Sequence, residues 1–257
     1  MRLSKIAFAS PGLFPSSAAM DKYFTKLTLK GIGVETLPYV KMNRINYVKK
    51  REFAAKYVSK RLSYPVIVKP ANLGSSIGIS MAKNGLTLNA ALDNAFRYDD
   101  KVIVEKALTD FREINCACIK LGDKYLVSEC EEPMTSGEIL SFSDKYSGER
   151  KAVSPAELDG KTASKIKDLT SYIYRKLEFS GAVRIDYLLD GEKIYVNEIN
   201  SVPGSLAYYL FVDSIGEFRE LLLRSIELAE EEESDRENNV YTYSSNVLSL
   251  DSEKLRK

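Results

Sequence analysis

Residues 181–207 read GAVRIDYLLDGEKIYVNEINSVPGSLA, and two adjoining segments of this stretch alternate apolar with polar side chains. Successive side chains of a β-strand point to opposite faces, so residues two apart share a face. The polar positions are Arg184, Asp186, Glu198 and Asn200. The Asp190-Gly191 dipeptide between the segments accepts the positive φ of a tight turn, which predicts an antiparallel hairpin. If the two polar faces coincide, carboxylate and amide oxygens meet a guanidinium on one patch.

These polar side chains indicate a metal site. Hard divalent cations such as magnesium prefer oxygen ligands, usually one or two carboxylates completed by substrate phosphates and water. Arg184 beside them could hold an anion or stabilise developing negative charge. The alternative is that the charges face water on an exposed strand, as most acidic side chains do. Apolar residues at the intervening positions favour a half-buried hairpin, whose charges need partners. These residues are Val183, Ile185, Tyr187, Val196 and Ile199.

The composition is that of an ordinary globular protein. The chain has 257 residues, 44% hydrophobic and 28% charged, enough for one large domain or two smaller ones. The net charge of +1 provides no general attraction to nucleic acid or to an anionic membrane. No apolar run approaches the roughly eighteen residues that span a bilayer, and Pro11 and Pro15 interrupt a short apolar patch near the start. We therefore expect no nucleic-acid partner and no membrane association.

The residue types that are missing or scarce narrow the chemistry further. No histidine is present, which excludes histidine triads, histidine metal sites and histidine acid–base catalysis. Carboxylate, lysine, tyrosine and backbone chemistry remain. Cys116, Cys118 and Cys130 are odd in number and lack the spacing of a metal knuckle or a disulfide framework. They are typical of reduced thiols in the core of a cytoplasmic protein.

Periodicity predicts a mixture of helices and strands. Helices are predicted over residues 17–31, 47–62, 85–98, 161–177 and 214–230, the first with Ser17 as its N-cap and Gly31 as its stop. Besides the hairpin, strands are predicted in IGVETLPYV, YPVIVKP, ISMA, VIVEKAL, REINCACIKLG and KYLVSECEEP. Residues 132–155 lose periodicity, which predicts a lid, a binding loop or a disordered segment. Residues 231–257 form a tail that begins as a solvated acidic run.

A glycine- and serine-rich turn follows a strand-ending lysine in KPANLGSSIGIS, residues 69–80. The turn offers Gly74, Ser75, Ser76 and Gly78. Closely approaching backbone N–H groups, hydroxyls and the Lys69 cation together suit a polyphosphate. The turn is not a P-loop, because the lysine precedes it. The alternative is a plain hairpin with a glycine-rich turn. Combined with the carboxylate hairpin, a phosphate cradle would complete a nucleotide site.

The stretch VIVEKAL, residues 102–108, supplies a third element. Its backbone groups and the Glu105 carboxylate could meet an adenine edge, and Glu113 could bond ribose hydroxyls. Taken singly, each carboxylate is more typical of a surface charge. The nucleotide interpretation depends on the order of all these motifs along the chain.

That order resembles the D-alanine–D-alanine ligase family of the ATP-grasp superfamily, over about residues 17–211. The motifs, at near-family spacing, are AAMDK, VIVKPANLGSSIGIS, VIVEKAL followed by FREINCA, GEILSFSDKY, and GAVRIDYLLD with VNEINSVPGSLA. The resemblance implies an α+β ATP-grasp fold, in which two α+β subdomains hold the nucleotide between them. It divides the chain into an N-terminal start at 1–16, a subdomain with the phosphate loop at 17–110, a catalytic subdomain at 111–230 and a tail at 231–257.

The resemblance also implies roles for individual residues. Those implied to bind ATP are Lys22, Lys69, Gly74 and Ser76 at the phosphates, Glu105, Lys106 and Leu108 at adenine, and Glu113 at the ribose. Those implied to bind two magnesium ions, or manganese in their place, are Asp186, Glu198 and Asn200. Those implied to position the substrates or stabilise the transition state are Arg184, Ser75, Lys145, Tyr146, Gly204 and Ser205. Lys145 and Tyr146 would lie on the loop at 132–155, which would shut the site.

The reaction implied by the resemblance is ATP-dependent amide formation between two D-alanine molecules. The carboxylate of the first would attack the γ-phosphate of ATP, giving an acyl phosphate and ADP, and the amine of the second would then displace phosphate. The resemblance places this reaction in peptidoglycan synthesis, and so in cell wall biogenesis and cell shape, in the bacterial cytoplasm.

Three features depart from the family pattern. The family begins with an additional domain of roughly a hundred residues, whereas only about sixteen residues precede AAMDK here. One more residue than in the family separates Glu105 from Glu113. Tyr209 occupies a position where many members place a serine for the second substrate, which leaves Ser205 as the nearest hydroxyl.

These departures leave several alternatives open. The sequence could be a fragment of a ligase or start too late, or the missing domain could come from a separate N-terminal domain partner, with a homodimer also possible. The protein could instead be a naturally reduced ATP-grasp module. It could also be a nucleotide-binding module without ligase activity, or a ligase for other amino acids. The complete set of acidic and basic site residues favours an active ligase.

Overall fold

The computed structural model describes residues 5–134, 152–240 and 242–243. One antiparallel sheet contains β1 (Tyr39–Asn43), β2 (Val66–Pro70), β3 (Ser80–Ala82) and β4 (Lys101–Lys106), in the order β1-β4-β2-β3. The antiparallel pair β7 (Glu132–Pro133) and β8 (Ala152–Val153) is separate. A second antiparallel sheet contains β5 (Arg112–Leu121), β6 (Lys124–Val127), β9 (Val183–Asp190) and β10 (Lys193–Asn200), in the order β10-β9-β5-β6.

Helices flank both sheets. They are α1 (Leu13–Met20), α2 (Lys22–Gly31), α3 (Arg44–Lys49), α4 (Ala54–Ser59), α5 (Gly85–Ala95), α6 (Gly160–Lys176) and α7 (Ile215–Glu237), with 3-10 helices at Arg51–Phe53 and Gly204–Leu210. Within the residues described above, none of these helices combines the length and the apolar composition that crossing a bilayer requires.

One face of the first sheet is buried against helices, and the opposite face lines a cleft between the two sheets. Alternate residues of a strand face opposite sides, so Val66 and Val68 of β2 enter a buried cluster together with Leu88 and Leu92 of α5. Lys69, the next residue of β2, therefore lies on the opposite face. The same alternation that builds the core thus directs a lysine away from it.

The second sheet has its own core. Ile114, Cys116 and Cys118 alternate along β5 and are buried together with Ile166 and Ile173 of α6. Burying each large aliphatic side chain contributes roughly 1.5–3 kcal/mol. The three cysteines are free thiols and buried, as the sequence predicts.

The single helix predicted over residues 17–31 is wrong. α1 and α2 meet at Asp21, whose extended backbone interrupts the helix and whose carboxylate accepts hydrogen bonds from two N–H groups in the first turn of α2. Ser17, the predicted N-cap, lies inside α1. The predicted end at Gly31 is confirmed.

Other predicted elements differ in length or continuity. The helix predicted over residues 47–62 is wrong as one unit, because α3, a 3-10 helix and α4 follow one another there. α5 and α6 confirm the helices predicted over 85–98 and 161–177. The helix predicted over 214–230 forms as α7 but continues to Glu237, so the acidic run assigned to the tail is partly helical, and α7 contains no buried residue.

The strand predictions are largely confirmed. β1 occupies just the end of IGVETLPYV and continues beyond it. The hairpin β9–β10 forms in antiparallel register, with Gly191 at a φ of +59° in its turn. The ends of the loop predicted over residues 132–155 pair as β7 and β8. Residues 135–151 of that loop lie outside the described residues.

Candidate active site

A cleft separates the two sheets and is lined from both sides. Its cavity has a volume of about 100 Å³ and opens beside a second cavity of about 490 Å³, with which it shares Met81, Leu108, Phe111 and Glu113. The residues predicted to bind the nucleotide that line the first cavity are Lys22, Lys69, Gly74, Ser76, Glu105, Lys106, Leu108 and Glu113. Glu198 of the hairpin lines the same cavity from the second sheet. The structure therefore brings the predicted phosphate, adenine and ribose residues to one place, together with Glu198 from the predicted metal set.

The two predicted phosphate lysines meet near the end of β2, where Lys69 lies in the strand and Lys22, the first residue of α2, contacts the chain that follows it. The backbone N–H of Lys22 donates to the carbonyl of Ala71 at 2.9 Å, and its ammonium donates to the carbonyl of Leu73. Lys69 donates to Glu105 Oε2 at 2.6 Å and to Asn197 Oδ1 at 3.1 Å. Because Asn197 belongs to β10, the Lys69 ammonium joins the two walls of the cleft.

The glycine–serine turn crosses the mouth of this cleft in an unusual backbone conformation. Ser75, Ser76 and Gly78 have positive φ values of 53°, 59° and 72°, a region that L-residues other than glycine rarely adopt. Position 78 requires glycine, because the Cβ of any other residue would lie 2.8 Å from both Pro70 Cγ and Tyr98 Cδ2. At Gly74, by contrast, a Cβ would meet open space. A ligand can therefore approach the backbone closely at Gly74.

Glu105, predicted to line the adenine pocket, is held between two lysines. It is 1% exposed, with Lys69 2.6 Å from one carboxylate oxygen and Lys26 2.9 Å from the other. Burial alone would raise the pKa of Glu105, but the charges of Lys26 and Lys69 outweigh it and lower that pKa to about 2. Sequence reasoning missed Lys26. The signal available was its position four residues after Lys22, on the same face of α2.

The carboxylate hairpin has the predicted convergence. Asp186 pairs with Glu198, and Arg184 pairs with Asn200, across β9 and β10. Arg184 Nε and Nη2 donate to the two oxygens of Asp186 at 2.7 and 2.9 Å, and Asn200 Nδ2 donates to Asp186 Oδ2 at 3.0 Å. Burial would lower the pKa of Arg184, but Asp186 raises it further than burial lowers it. The guanidinium is therefore permanently charged and fixed in orientation.

A β-bulge in the hairpin brings in a residue that the sequence analysis overlooked. Val196 pairs with Tyr187 and Glu198 pairs with Asp186, which leaves Asn197 as an extra residue in β10. A bulge re-aims side chains relative to a regular strand, and both Asn197 and Glu198 line the cleft. Strict alternation would have placed them on opposite faces. The sequence shows Asn197 but gives no signal for the bulge that turns its side chain toward the cleft.

Two further polar residues, Asn115 and Glu131, lie next to Asp186 across the neighbouring strands. Asn115 of β5 is the cross-strand partner of Asp186 and donates through Nδ2 to Glu131 Oε2 at 3.2 Å. All three side chains are buried. Sequence reasoning assigned no role to Asn115 or Glu131, because their proximity arises from pairing between distant strands.

The predicted substrate residues lie after the hairpin. Gly204 and Ser205 begin the 3-10 helix at Gly204–Leu210 and are exposed. Ser205 and the two residues after it have φ values of 51°, 53° and 52°, a left-handed turn. Tyr209 accepts a hydrogen bond from Arg184 Nη1 at 3.3 Å. The residue that departs from the family pattern therefore contacts the predicted oxyanion-stabilising arginine.

Some predicted residues fall outside the cavity lining. Among the described residues, these are Ser75, Arg184, Asp186, Asn200, Gly204 and Ser205. The hairpin connects Asp186 and Asn200 to the cleft through Glu198. Lys145 and Tyr146 belong to residues 135–151, which the structure does not describe.

The side chains of the hairpin are of the kind that a hard divalent cation prefers. Paired carboxylates of Asp186 and Glu198 and the amide of Asn200 are hard oxygen donors on one face. Over residues 5–134 and 152–240, no group of three or more His, Cys, Asp or Glu side chains could hold a metal by itself. A small set of carboxylates suits a cation whose coordination is completed by substrate phosphates and water.

The fold and the cleft define a class of protein. Two antiparallel α+β units that enclose a cleft between a glycine- and serine-rich turn and a carboxylate hairpin form an ATP-grasp fold. The solved structure of D-alanyl-alanine synthetase A from Vibrio cholerae shares this fold, with a TM-score of 0.73 over 89% of this chain and 70% of its own, at 23% identity.

Sequence comparison identifies the family within that class. The family profile described as D-ala D-ala ligase C-terminus matches residues 28–218. A D-alanine–D-alanine ligase of Thermosipho africanus is 38% identical over 255 residues, which cover 97% of this chain and 68% of that protein. The ligase of Thermosipho melanesiensis is 36% identical over 95% of this chain and 66% of that protein. The chain belongs to the D-alanine–D-alanine ligase family.

Solved structures at higher identity agree with this assignment. The D-alanine–D-alanine ligase of Helicobacter pylori is 30% identical, with a TM-score of 0.72 over 88% of this chain and 63% of its own. VanG D-Ala:D-Ser ligase from Enterococcus faecalis is also 30% identical, with a TM-score of 0.69 over 79% of this chain and 58% of its own. The present chain thus spans about two thirds of the length of the relatives it matches.

Proposed function

We propose that this chain is an ATP- and magnesium-dependent ligase that joins two D-alanine molecules through an acyl phosphate. The observation that carries the proposal is the convergence of Lys22, Lys69 and the glycine–serine turn with Glu198 in one cleft. Cations and backbone N–H groups suit a triphosphate, and a carboxylate that pairs with Asp186 suits its metal ions. Membership of the ligase family supports the same assignment.

In the first step, a carboxylate oxygen of the first D-alanine bonds to the γ-phosphorus of ATP as the bond to the β–γ bridging oxygen breaks. The products are an acyl phosphate and ADP. Lys22 and Lys69 hold the phosphates and offset their charge. Adenine lies against Glu105, Lys106 and Leu108, with the ribose at Glu113.

In the second step, the amine of the second D-alanine attacks the acyl carbon and inorganic phosphate leaves. The Arg184 guanidinium, held in one plane by Asp186 and Tyr209, stabilises the oxyanion of the tetrahedral intermediate. Backbone N–H groups near Gly204 and the hydroxyl of Ser205 assist in binding the second substrate. Ser75, Lys145 and Tyr146 position the first substrate and close the site.

Asp186, Glu198 and Asn200 would hold two magnesium ions, with manganese as a substitute. Magnesium held by these residues would supply positive charge that offsets the charge of the phosphates. For the amide of Asn200 to take part, its oxygen must face the cation while its nitrogen keeps the hydrogen bond to Asp186.

The test is ADP release with ATP, magnesium and D-alanine, accompanied by detection of the dipeptide. L-alanine in place of D-alanine serves as the substrate control. We expect turnover to require magnesium and to fall by roughly a hundredfold or more in Glu198→Gln. Glu192→Gln, an exposed carboxylate in the turn of the same hairpin, should leave turnover unchanged. Dipeptide formation that survives Glu198→Gln would contradict the metal assignment.

Tyr209 favours a second candidate, a ligase with a different second amino acid. Its hydroxyl contacts Arg184, at the position where many family members place a serine for the second substrate. The structural relative VanG is described as a D-Ala:D-Ser ligase. Competition between D-alanine and D-serine, with both dipeptides quantified, distinguishes the two candidates.

The proposal also covers the pathway of the product, the division of the chain into units and its partners. The product would enter peptidoglycan synthesis in the cytoplasm, and so affect cell wall biogenesis and cell shape. The two units would divide near residue 110, with a phosphate-loop unit at 17–110 and a catalytic unit at 111–230. A homodimer or a separate N-terminal domain is the partner proposed for this chain. ADP release measured with and without a supplied N-terminal domain of a relative tests that point.

A further inference from the structure

Beside the cleft lies a buried lysine to which the proposed reaction assigns no role. Lys26 of α2 is 2% exposed, and its ammonium lies 2.9 Å from Glu105 Oε1. The other oxygen of Glu105 lies 2.6 Å from the ammonium of Lys69. One carboxylate is thus shared between two lysines, one inside the protein and one at the cleft.

This arrangement is electrostatically unusual. The group carries two positive charges and one negative charge, so burial leaves a net charge of +1. An isolated buried charge is costly, and an apolar side chain of similar length would fill the same space at a lower cost. Burial and the repulsion from Lys69 both lower the pKa of Lys26, while Glu105 opposes them. Packing alone therefore does not explain a lysine at this position.

The surrounding contacts show what the group holds in place. α2 is anchored beside β2 by the backbone hydrogen bond from Lys22 to Ala71. Lys26, one helical turn later, reaches Glu105 on β4. Glu105 and Asn197 then hold the ammonium of Lys69 from the two walls of the cleft. Contacts thus run continuously from α2 to the predicted phosphate-binding lysine.

Lys26 also affects the charge available to a ligand. With Lys26 present, Glu105 divides its charge between two ammonium groups and the group keeps a net charge of +1. Without it, Glu105 would pair with Lys69 alone, and the net charge would fall to zero. A neutral pair attracts a polyanion less strongly than a cation does. The carboxylate could also draw Lys69 into a two-oxygen contact and away from the cleft.

We propose that Lys26 is a positioning residue for the nucleoside triphosphate: it occupies one oxygen of Glu105 and so keeps Lys69 oriented and positively charged toward the phosphates. The proposal rests on the function assigned above. It extends that function to a side chain that need not touch the substrate.

The test compares Lys26→Met with Lys30→Met, an exposed lysine one turn later on the same helix. Binding of magnesium with a non-hydrolysable ATP analogue is measured by calorimetry, and KM and kcat are measured for ATP and D-alanine. For Lys26→Met we expect the Kd of the analogue and the KM of ATP to rise about tenfold. The KM of D-alanine should stay within about twofold. Lys30→Met should match the wild type, and Lys26→Arg should recover most of the affinity.

A second-site variant separates charge balance from packing. Lys26→Met combined with Glu105→Gln restores a net charge of +1 at Lys69, so it should bind magnesium with inorganic triphosphate, which lacks the adenine assigned to Glu105, more tightly than Lys26→Met alone. A packing defect would not be repaired by a second change in the same core. This double variant also keeps the test informative if Lys26→Met folds poorly.

The possible results distinguish failure of the Lys26 role from failure of the proposed ligase reaction. If the wild type binds no ATP analogue, the nucleotide site is wrong and Lys26 loses its assigned role with it. If the wild type binds the analogue but Lys26→Met binds equally well, the positioning role alone is overturned. It is equally overturned if the double variant shows no recovery. Absence of dipeptide formation with intact nucleotide binding would count against the ligase proposal and leave the Lys26 comparison valid.

Discussion

Lys69 contacts both walls of the cleft through a single ammonium group. It donates to Glu105 of the first sheet and to Asn197 of the second. Such charge-assisted hydrogen bonds are short and strong, and the same ammonium is available to a phosphate. Its position depends on the alternation of β2, which sends the preceding valine into the core.

Replacing Lys69 with alanine should weaken ATP binding by roughly ten- to a hundredfold, since a hydrogen bond to a charged group contributes about 1.5–3 kcal/mol. Calorimetric titration with a non-hydrolysable analogue measures the change. Lys60→Ala, an exposed lysine following α4, is the matched control. Equal affinities of Lys69→Ala and the wild type would contradict the assignment of Lys69 to the phosphates.

Glu105 should make the protein sensitive to acid. Its pKa in the folded state is about 2, below the ordinary value of 4.5, because Lys26 and Lys69 outweigh the effect of burial. A depressed carboxylate pKa contributes stability that is present above about pH 4.5 and is lost as the pH falls toward 2. Ionised Glu105 therefore contributes on the order of 3 kcal/mol to the free energy of unfolding at neutral pH.

Urea denaturation between pH 2 and pH 6 tests this expectation. Glu105→Gln should be less stable than the wild type at pH 6 and should lose less stability on acidification. Glu52→Gln, at an exposed position, should follow the wild-type profile. Parallel profiles for Glu105→Gln and the wild type would show that the two lysines do not stabilise the ionised carboxylate.

The glycine–serine turn contains two glycines with different requirements. Gly78→Ala would place a Cβ 2.8 Å from Pro70 and Tyr98 at a φ of +72°, so we expect a loss of roughly 1–3 kcal/mol in the free energy of unfolding. Gly74→Ala meets open space and should keep its stability. It should nevertheless bind the ATP analogue less tightly, because the added methyl group obstructs close approach of the phosphates.

Denaturant unfolding and calorimetric titration of both variants test this pair. If Gly74→Ala binds the nucleotide as the wild type does, the turn does not cradle phosphates. If Gly78→Ala keeps full stability, the turn rearranges more readily than its contacts with Pro70 and Tyr98 indicate.

The helices show where local patterns stop being informative. Met20, Phe24 and Leu27 keep helical spacing across Asp21, so periodicity alone predicted one helix. Asp21 instead caps α2 and pairs with Lys101, the first residue of β4. That ion pair joins residues eighty positions apart, and no local pattern could reveal it.

Nucleotide binding should stabilise the whole molecule, because the cleft is lined by both sheets. A ligand at a hundred times its Kd contributes about 2.7 kcal/mol, and for a chain of this size that raises the Tm by roughly 5–10 °C. Scanning calorimetry with the ATP analogue and magnesium measures the shift. We expect EDTA to remove most of it, and Glu198→Gln to reduce it. A shift unaffected by EDTA would argue against metal-assisted binding at the hairpin.

Much of the site was predictable because its chemistry lies in short local motifs. The antiparallel pairing of β9 with β10 and the meeting of Arg184, Asp186, Glu198 and Asn200 follow from the two-residue alternation and a tight turn. The partners supplied by distant segments were not predictable. Lys26, Asn115 and Glu131 reach the site through packing of α2 and pairing of β5, and Asn197 reaches it through a bulge.

The sequence by itself determined the carboxylate hairpin and the residue types that surround a nucleotide, because alternation and turn chemistry act over short distances along the chain. The class of fold followed from the resemblance of the ordered motifs to a known family. The tertiary structure alone decided how charge is shared in the cleft. Electrostatic interactions depend on separation in space and on burial. Only the folded chain brings the ammonium groups of Lys26 and Lys69 to within 3 Å of the Glu105 carboxylate and buries Lys26 and Glu105 away from water.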